Sequence, residues 1–162
     1  MDSLNVPVPG RVRRVAADLH PELVAFDFIR ERHGLLCKRF ERTPDKVALR
    51  DALAGTPAFE AAVTGIDYFT DPPHGSAPVV YLTVESPGLV RLHERLAERF
   101  DAVPGLEGEG YDPHVTLARG GDEADAARLA EREIDRVSWT VSRLERFDAE
   151  YREAIGTVSL PA

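Results

Sequence analysis

The apolar positions along the chain fall into segments with two distinct periods. Leu4 to Val8 reads as a short strand. Gly10 to about Leu19 places Val12, Val15, Ala16 and Leu19 on one helical face. His33 to Phe40 is apolar enough for another strand. Thr43-Pro44-Asp45 marks a helix start, with an N-cap oxygen before proline at the first helical position; that helix runs to about Leu53 and stops at Gly55. Phe59 to Phe69 opens with strict alternation and reads as a strand, and Asp71-Pro72-Pro73-His74-Gly75 as a turn. Pro78 to Val84 is a near-continuous apolar run, the pattern of a strand covered on both faces. Ser86-Pro87 then caps a helix carrying Leu89, Leu92, Leu96 and Phe100. A Gly-rich loop (104–111), a strand from His114 to Ala118, a helix from Asp122 to about Glu133, a long strand from Val137 to Phe147 and a short one from Ile155 to Leu160 complete the chain.

The order within each half is strand, helix, histidine-bearing strand, helix, strand. Pro9-Gly10-Arg11-Val12 is similar to Pro87-Gly88-Leu89-Val90, and Phe59, Ala61, Val63, Ile66 and Phe69 match Val137, Trp139, Val141, Leu144 and Phe147. Every pair has the same offset (147 − 69 = 78). A duplicated unit follows, with a first repeat over about 4–70, a second over about 78–148 and a terminal strand over about 155–160. The expected fold is α+β: one bilobal domain spanning 1–162, with two lobes related by an approximate two-fold axis, each holding an antiparallel sheet and flanking helices.

Composition narrows the partners. The 162 residues include 28 Asp and Glu against 20 Lys and Arg, a net charge of −8. A general duplex-DNA binder is expected to be basic, so duplex DNA is excluded as the expected partner, while a small phosphate-bearing ligand in a local basic pocket is not. Only Lys38 and Lys46 are lysines. An acidic, lysine-poor surface fits a high-salt cytoplasm, or simply a genomic base-composition bias; both readings stay open. No apolar run is long enough for a membrane span, the N-terminus lacks the pattern of a secretory signal, and Cys37 is the lone cysteine. The expectation is a cytoplasmic monomer with no disulfide, no metal site and no cofactor.

Five histidines carry the candidate chemistry: His20, His33, His74, His93 and His114. His20 reads as a helix C-terminal residue, and His74 and His93 as solvated. His33 and His114 each open an apolar strand at corresponding places in the two halves; their separation of 81 exceeds the repeat by three residues, which the loop 104–110 can absorb. A two-fold axis would turn both imidazoles toward one cleft, an arrangement suited to concerted acid–base chemistry near neutral pH. On the second strand His114 and Thr116 share a face, so that an imidazole and a hydroxyl can serve one phosphate. Tyr111 and Asp112 lie just ahead, where a loop residue can stack on or orient a ligand.

Pro113-His114-Val115-Thr116-Leu117-Ala118-Arg119 resembles the second signature of the 2H phosphoesterase superfamily, which includes 2'-5' RNA ligase (LigT-like) enzymes and RNA 2',3'-cyclic phosphodiesterases. Leu4-Asn5-Val6-Pro7-Val8-Pro9 is similar to the family's first strand and turn, and Pro78-Val79-Val80-Tyr81-Leu82 to the strand opening its second lobe. The resemblance implies a LigT-like fold and metal-independent cleavage of a 2',3'-cyclic phosphate at an RNA 3' end or on a small cyclic nucleotide. It implies His33 and His114 as the acid–base pair, Thr116 as a phosphate ligand, and weak 2'-5' ligation as the reverse reaction. The first motif departs from the pattern: His33-Gly34-Leu35-Leu36 has Leu35 where the family carries Thr or Ser. The family's basic residue after this motif arrives about one residue late, which a β-bulge near Leu35 or Leu36 would explain. Strict alternation instead puts His33, Leu35, Cys37 and Arg39 on one face, and Arg39 or Lys38 would then hold phosphate in place of the missing hydroxyl. Two other classes remain: a non-catalytic nucleotide- or RNA-end-binding module, and a hydrolase with His33 and His114 as metal ligands.

Overall fold

A computed structural model describes residues 1–162. Nine strands, four α-helices and one short 3-10 turn build two antiparallel sheets. The strands are β1 (Asp2–Val6), β2 (Phe28–Ile29), β3 (Leu35–Phe40), β4 (Phe59–Phe69), β5 (Val79–Glu85), β6 (His114–Arg119), β7 (Val137–Val141), β8 (Arg143–Asp148) and β9 (Glu153–Ser159). The helices are α1 (Gly10–Leu23), α2 (Lys46–Leu53), α3 (Pro87–Phe100) and α4 (Glu123–Ala130). One sheet has the order β3-β1-β8-β9 and the other β2-β6-β5-β4-β7.

The helices form where their apolar stripes predict. α1 buries Val12, Ala16, Leu19 and Leu23, one face at a spacing of three and four. α3 begins with Ser86, whose hydroxyl accepts from the Leu89 amide at 3.2 Å, and with Pro87 where its missing N–H costs nothing. α2 starts two residues later than Thr43 would set it. Asp45 is its cap, accepting from Ala48 N at 2.7 Å, whereas the Thr43 hydroxyl donates to Asp2. An ionised carboxylate at an N-cap also meets the positive end of the helix dipole. α3 packs on β3 and β4, α4 on β4, and α1 on β6, sealing the apolar faces of both sheets.

Strand register exposes the two-fold relation. Asn5 pairs with Leu36 and Leu4 with Lys38, leaving Cys37 as the extra residue of a bulge. Tyr81 pairs with Thr116 and Val80 with Ala118, leaving Leu117 as the extra residue of a matching bulge. Burial agrees: 34–39 and 114–119 share the same sequence of buried positions from their second residue on. Superposing the bulges sets Leu36 on Thr116, Arg39 on Arg119 and Gly34 on His114. The outer neighbours follow, since Phe147 pairs with Ser3 as Phe69 pairs with Val79. Ala61 pairs with Trp139, its own counterpart in the 78-residue repeat, so the pseudo-dyad runs between these two.

The strand expected over Val137–Phe147 divides at Ser142 into β7 and β8, which belong to different sheets. As a result each sheet takes strands from both halves of the sequence: β8 and β9 complete the sheet of β1 and β3, while β4 joins β5 and β6.

Candidate functional site

β3 and β6 approach each other from the two sheets, and a cleft of about 500 Å³ opens beside them. Its floor on the β6 side is His114, Thr116 and Arg119; on the β3 side it is Leu36 and Arg39. Tyr81 of β5, Tyr111 and Asp112 of the preceding loop, Arg30, and His74 of the Pro-rich turn form the walls.

The β6 side follows from elementary strand geometry. Val115 and Leu117 are fully buried, so the alternating His114 and Thr116 must face out of the core, into the cleft. The Asp112 carbonyl lies 2.7 Å from His114 Nδ1 and can only accept, so Nδ1 carries the proton and donates. Nε2 of the neutral ring is left to accept a proton. Tyr81 and Phe69 brace the ring edge-on, with centroids at 5.1 and 6.3 Å. Thr116 supplies a hydroxyl next to it.

The β3 side is different. The bulge at Cys37 puts two buried positions in succession, Cys37 and Lys38, and turns Leu36 and Arg39 toward the cleft. Lys38 is therefore not a phosphate ligand. It points inward at the position Ala118 holds in the twin strand, is fully buried, and forms an ion pair of 2.5 Å with Glu107. Glu107 also accepts from Arg39 N at 2.7 Å and Val103 N at 3.0 Å, pinning the loop 103–110 to β3. The Cys37 thiol is pushed up to about 12 by burial, then by Glu107, and is inert at neutral pH. Arg39 keeps its place in the cleft. Burial lowers its pKa from the ordinary guanidinium value, Glu107 opposes that, and Arg30 adds to it.

His33 is the larger correction. It precedes β3, one position out of register with His114, and is absent from the cleft lining. Instead it borders a second depression with Arg13 and His20 of α1. The position equivalent to His114 is Gly34, and that of Thr116 is Leu36, so β3 offers neither imidazole nor hydroxyl to the cleft. Burial, then the charges of Arg13 and Arg30, hold the His33 pKa below its usual value of 6.5.

Tyr111 lies in the cleft as expected. Its hydroxyl donates to the Leu36 carbonyl at 2.7 Å, and its ring stacks at 3.7 Å on His93. Burial, followed by Cys37, Glu107 and Asp112, raises its pKa, so it stays a neutral donor. His93, expected in solvent, is fully buried. Gly108 N donates to its Nε2 at 3.1 Å, and its Nδ1 therefore donates to the Cys37 carbonyl at 2.8 Å. The helix face reads as polar in sequence, but the loop folds over it.

Three cleft residues carry a signal that the histidine pattern left unassigned. Arg119 ends the β6 motif and is the counterpart of Arg39 when the two bulges are superposed. Its Nε donates to the Ser76 carbonyl at 3.1 Å and its Nη2 to the His74 carbonyl, holding the Pro-rich turn beside the cleft. Gly75, at φ +80°, rests on that guanidinium; a Cβ there would lie 2.8 Å from Arg119 Cζ. His74, expected in solvent, is exposed and also lines the cleft. Arg30 precedes β3 and lines both depressions. No three His, Cys, Asp or Glu side chains gather closely enough to hold a metal ion. No helix is long and apolar enough to cross a membrane.

Solved structures share this fold across nearly the whole chain. The protein TT0787 of Thermus thermophilus is 18% identical, with a TM-score of 0.67 over 98% of this chain and 97% of that one. Escherichia coli LigT, solved in complex with 3'-AMP, is 17% identical, with a TM-score of 0.66 over 99% and 98%. A structure described as a phosphoesterase is 19% identical, with a TM-score of 0.63 over 99% and 98%. A search of curated protein sequences finds no match. The family model of the 2'-5' RNA ligase superfamily matches residues 29–150, which run from β2 through β8 and include both cleft strands. By that match over most of its length, the chain belongs to the 2'-5' RNA ligase superfamily.

Proposed function

We propose that the cleft binds the terminal phosphate of an RNA 3' end or small cyclic nucleotide and hydrolyses the 2',3'-cyclic phosphodiester without a metal ion, using His114. The observation that carries this reading is the His114–Thr116 pair, aligned on one face of β6 with Arg39 across the same cleft. Arg39 and the Thr116 hydroxyl hold phosphate oxygens as charge builds on them. His114 Nε2 takes the proton of the attacking water; a new P–O bond forms as the P–O bond to one ribose oxygen breaks. The departing ribose oxygen takes its proton from His74, the other imidazole lining this space. Recognition of a nucleotide phosphate is consistent with the 3'-AMP complex of the similar LigT structure.

A second reading is a nucleotide- or RNA-end-binding module without turnover, and Gly34 and Leu36 favour it because they remove one half of a two-sided site. A 2',3'-cyclic nucleotide incubated with the protein and EDTA separates the two, with binding measured in parallel by calorimetry. Release of a nucleoside monophosphate supports hydrolysis. Saturable binding without product supports the module, and absence of both overturns each reading.

A further inference from the structure

The second depression, about 340 Å³, lies against α1 and the segment leading into β3. Its polar lining is Arg13, His20, Arg30, Glu31 and His33, so one carboxylate faces four groups that are cationic or can become so. Such a concentration is out of keeping with a chain of net charge −8. None of the protein's five ion pairs involves any of these residues. Arg13 is anchored by donating to the Val8 carbonyl at 2.5 Å, which fixes its guanidinium at the base of the helix. Arg30 lines this depression and the cleft alike, so the two adjoin at that side chain.

From this juxtaposition we infer that the depression is a phosphate subsite for the nucleotide preceding the terminal one, and that the protein is built to hold a short single-stranded RNA end across both pockets. The inference rests on the phosphate reading of the cleft and extends it to the length of the ligand. A single-stranded backbone presents one negative charge per nucleotide, and a groove lined with cations follows it without reading sequence. Arg30, between the pockets, serves the junction. Arg13, His20 and His33 receive the next phosphate. The bulk of the surface, being acidic, repels longer or duplex nucleic acid, so the favourable contacts end with this subsite. This assignment also gives His33 work outside the cleft. An anion beside it favours its charged form, opposing the burial and the arginines that disfavour that form in the free protein.

The test compares two probes at fixed salt by fluorescence anisotropy competition: a 2',3'-cyclic mononucleotide, and a trinucleotide ending in the same 2',3'-cyclic phosphate. The wild-type protein is expected to bind the trinucleotide about tenfold tighter, with a steeper loss of affinity on raising salt. The double variant Arg13→Gln/His33→Gln is expected to erase that advantage and flatten the salt slope, while mononucleotide affinity stays within twofold. Arg91→Gln, which removes an exposed arginine outside both pockets, should change neither. Equal wild-type affinity for the two probes, or a double variant that keeps the trinucleotide preference, overturns the subsite while leaving the cleft reading intact. Failure of the wild-type protein to bind either probe overturns the cleft reading and the subsite with it.

Discussion

β3 and β6 are the same strand used twice, with the same bulge and the same order of buried positions, yet only one presents an imidazole and a hydroxyl to the cleft. β6 presents His114, Thr116 and Arg119; β3 presents Gly34, Leu36 and Arg39 at the matching places. The scaffold and the arginines are kept on both sides, and the imidazole and hydroxyl on one. The fold therefore does not require the cleft-facing side chains: packing is set by Leu35 and Cys37 in one strand and by Val115 and Leu117 in the other, all fully buried. What faces the cleft is free to vary, and under the proposed function the difference between the strands separates phosphate binding, which needs the cations, from acid–base work, which needs the imidazoles.

The comparison can be broken from its stronger side. His114→Ala is expected to lower cyclic-phosphate turnover by about 100-fold or more while cyclic-nucleotide binding stays within a few-fold, measured by initial rates and calorimetry. A variant that keeps wild-type turnover would remove β6 from the chemistry.

It can also be sharpened by repairing the weaker side. No atom lies within 4 Å of a Cβ built on Gly34, so a Cβ there displaces no neighbour. Gly34→His with Leu36→Thr should raise turnover by at least about tenfold, because an imidazole held by β3 is then in register opposite His114, in place of His74 on its exposed turn. His33→Ala, by contrast, should leave mononucleotide turnover within twofold. A double variant no faster than wild type would mean that bulge alignment misidentifies the partner positions.

Beneath β3 the buried Lys38–Glu107 pair is expected to act on stability. Glu107→Gln leaves the Lys38 ammonium uncompensated in the interior and should cost about 3 kcal/mol in denaturant unfolding. The equivalent position in β6 is Ala118, where no such charge exists, and Ala118→Gly should cost only about 1 kcal/mol.

The smallest expected effect is on pH dependence. The native state binds a proton at His33 more weakly than the unfolded chain, whose value is near 6.5. Stability from this group is then complete above that value and falls as the solution is acidified through it. The groups facing His33 in its depression are Arg13, His20, Arg30 and Glu31. His33→Gln should flatten the acid limb of a stability–pH profile as the pH falls below the ordinary histidine value of 6.5; an unchanged limb would mean that His33 titrates as it does in an unfolded chain.

Much of this fold is legible in the sequence because most strands have one dry face. Alternation in His114-Val115-Thr116-Leu117 forces the pairing of His114 with Thr116. On β3 alternation holds through Cys37, but it starts from the wrong residue: His33 lies ahead of the strand, one position out of register with His114. The bulge expected near Leu35 or Leu36 falls at Cys37 and changes parity only for Lys38 and Arg39. Lys38 and His93 are misread for a related reason. Each is a polar residue whose partner, Glu107 or the Gly108 amide, comes from a loop with no periodicity of its own. The division of the last long strand at Ser142 is likewise invisible, since both parts alternate and only tertiary pairing assigns them to different sheets.

The central claim is that one imidazole of the two strands serves the cleft. Titration of the wild-type protein with a 2',3'-cyclic mononucleotide, followed by NMR of the imidazole resonances, tests it directly. His114 should shift with saturation while His33 stays in place; movement of His33 with His114 unmoved would contradict it.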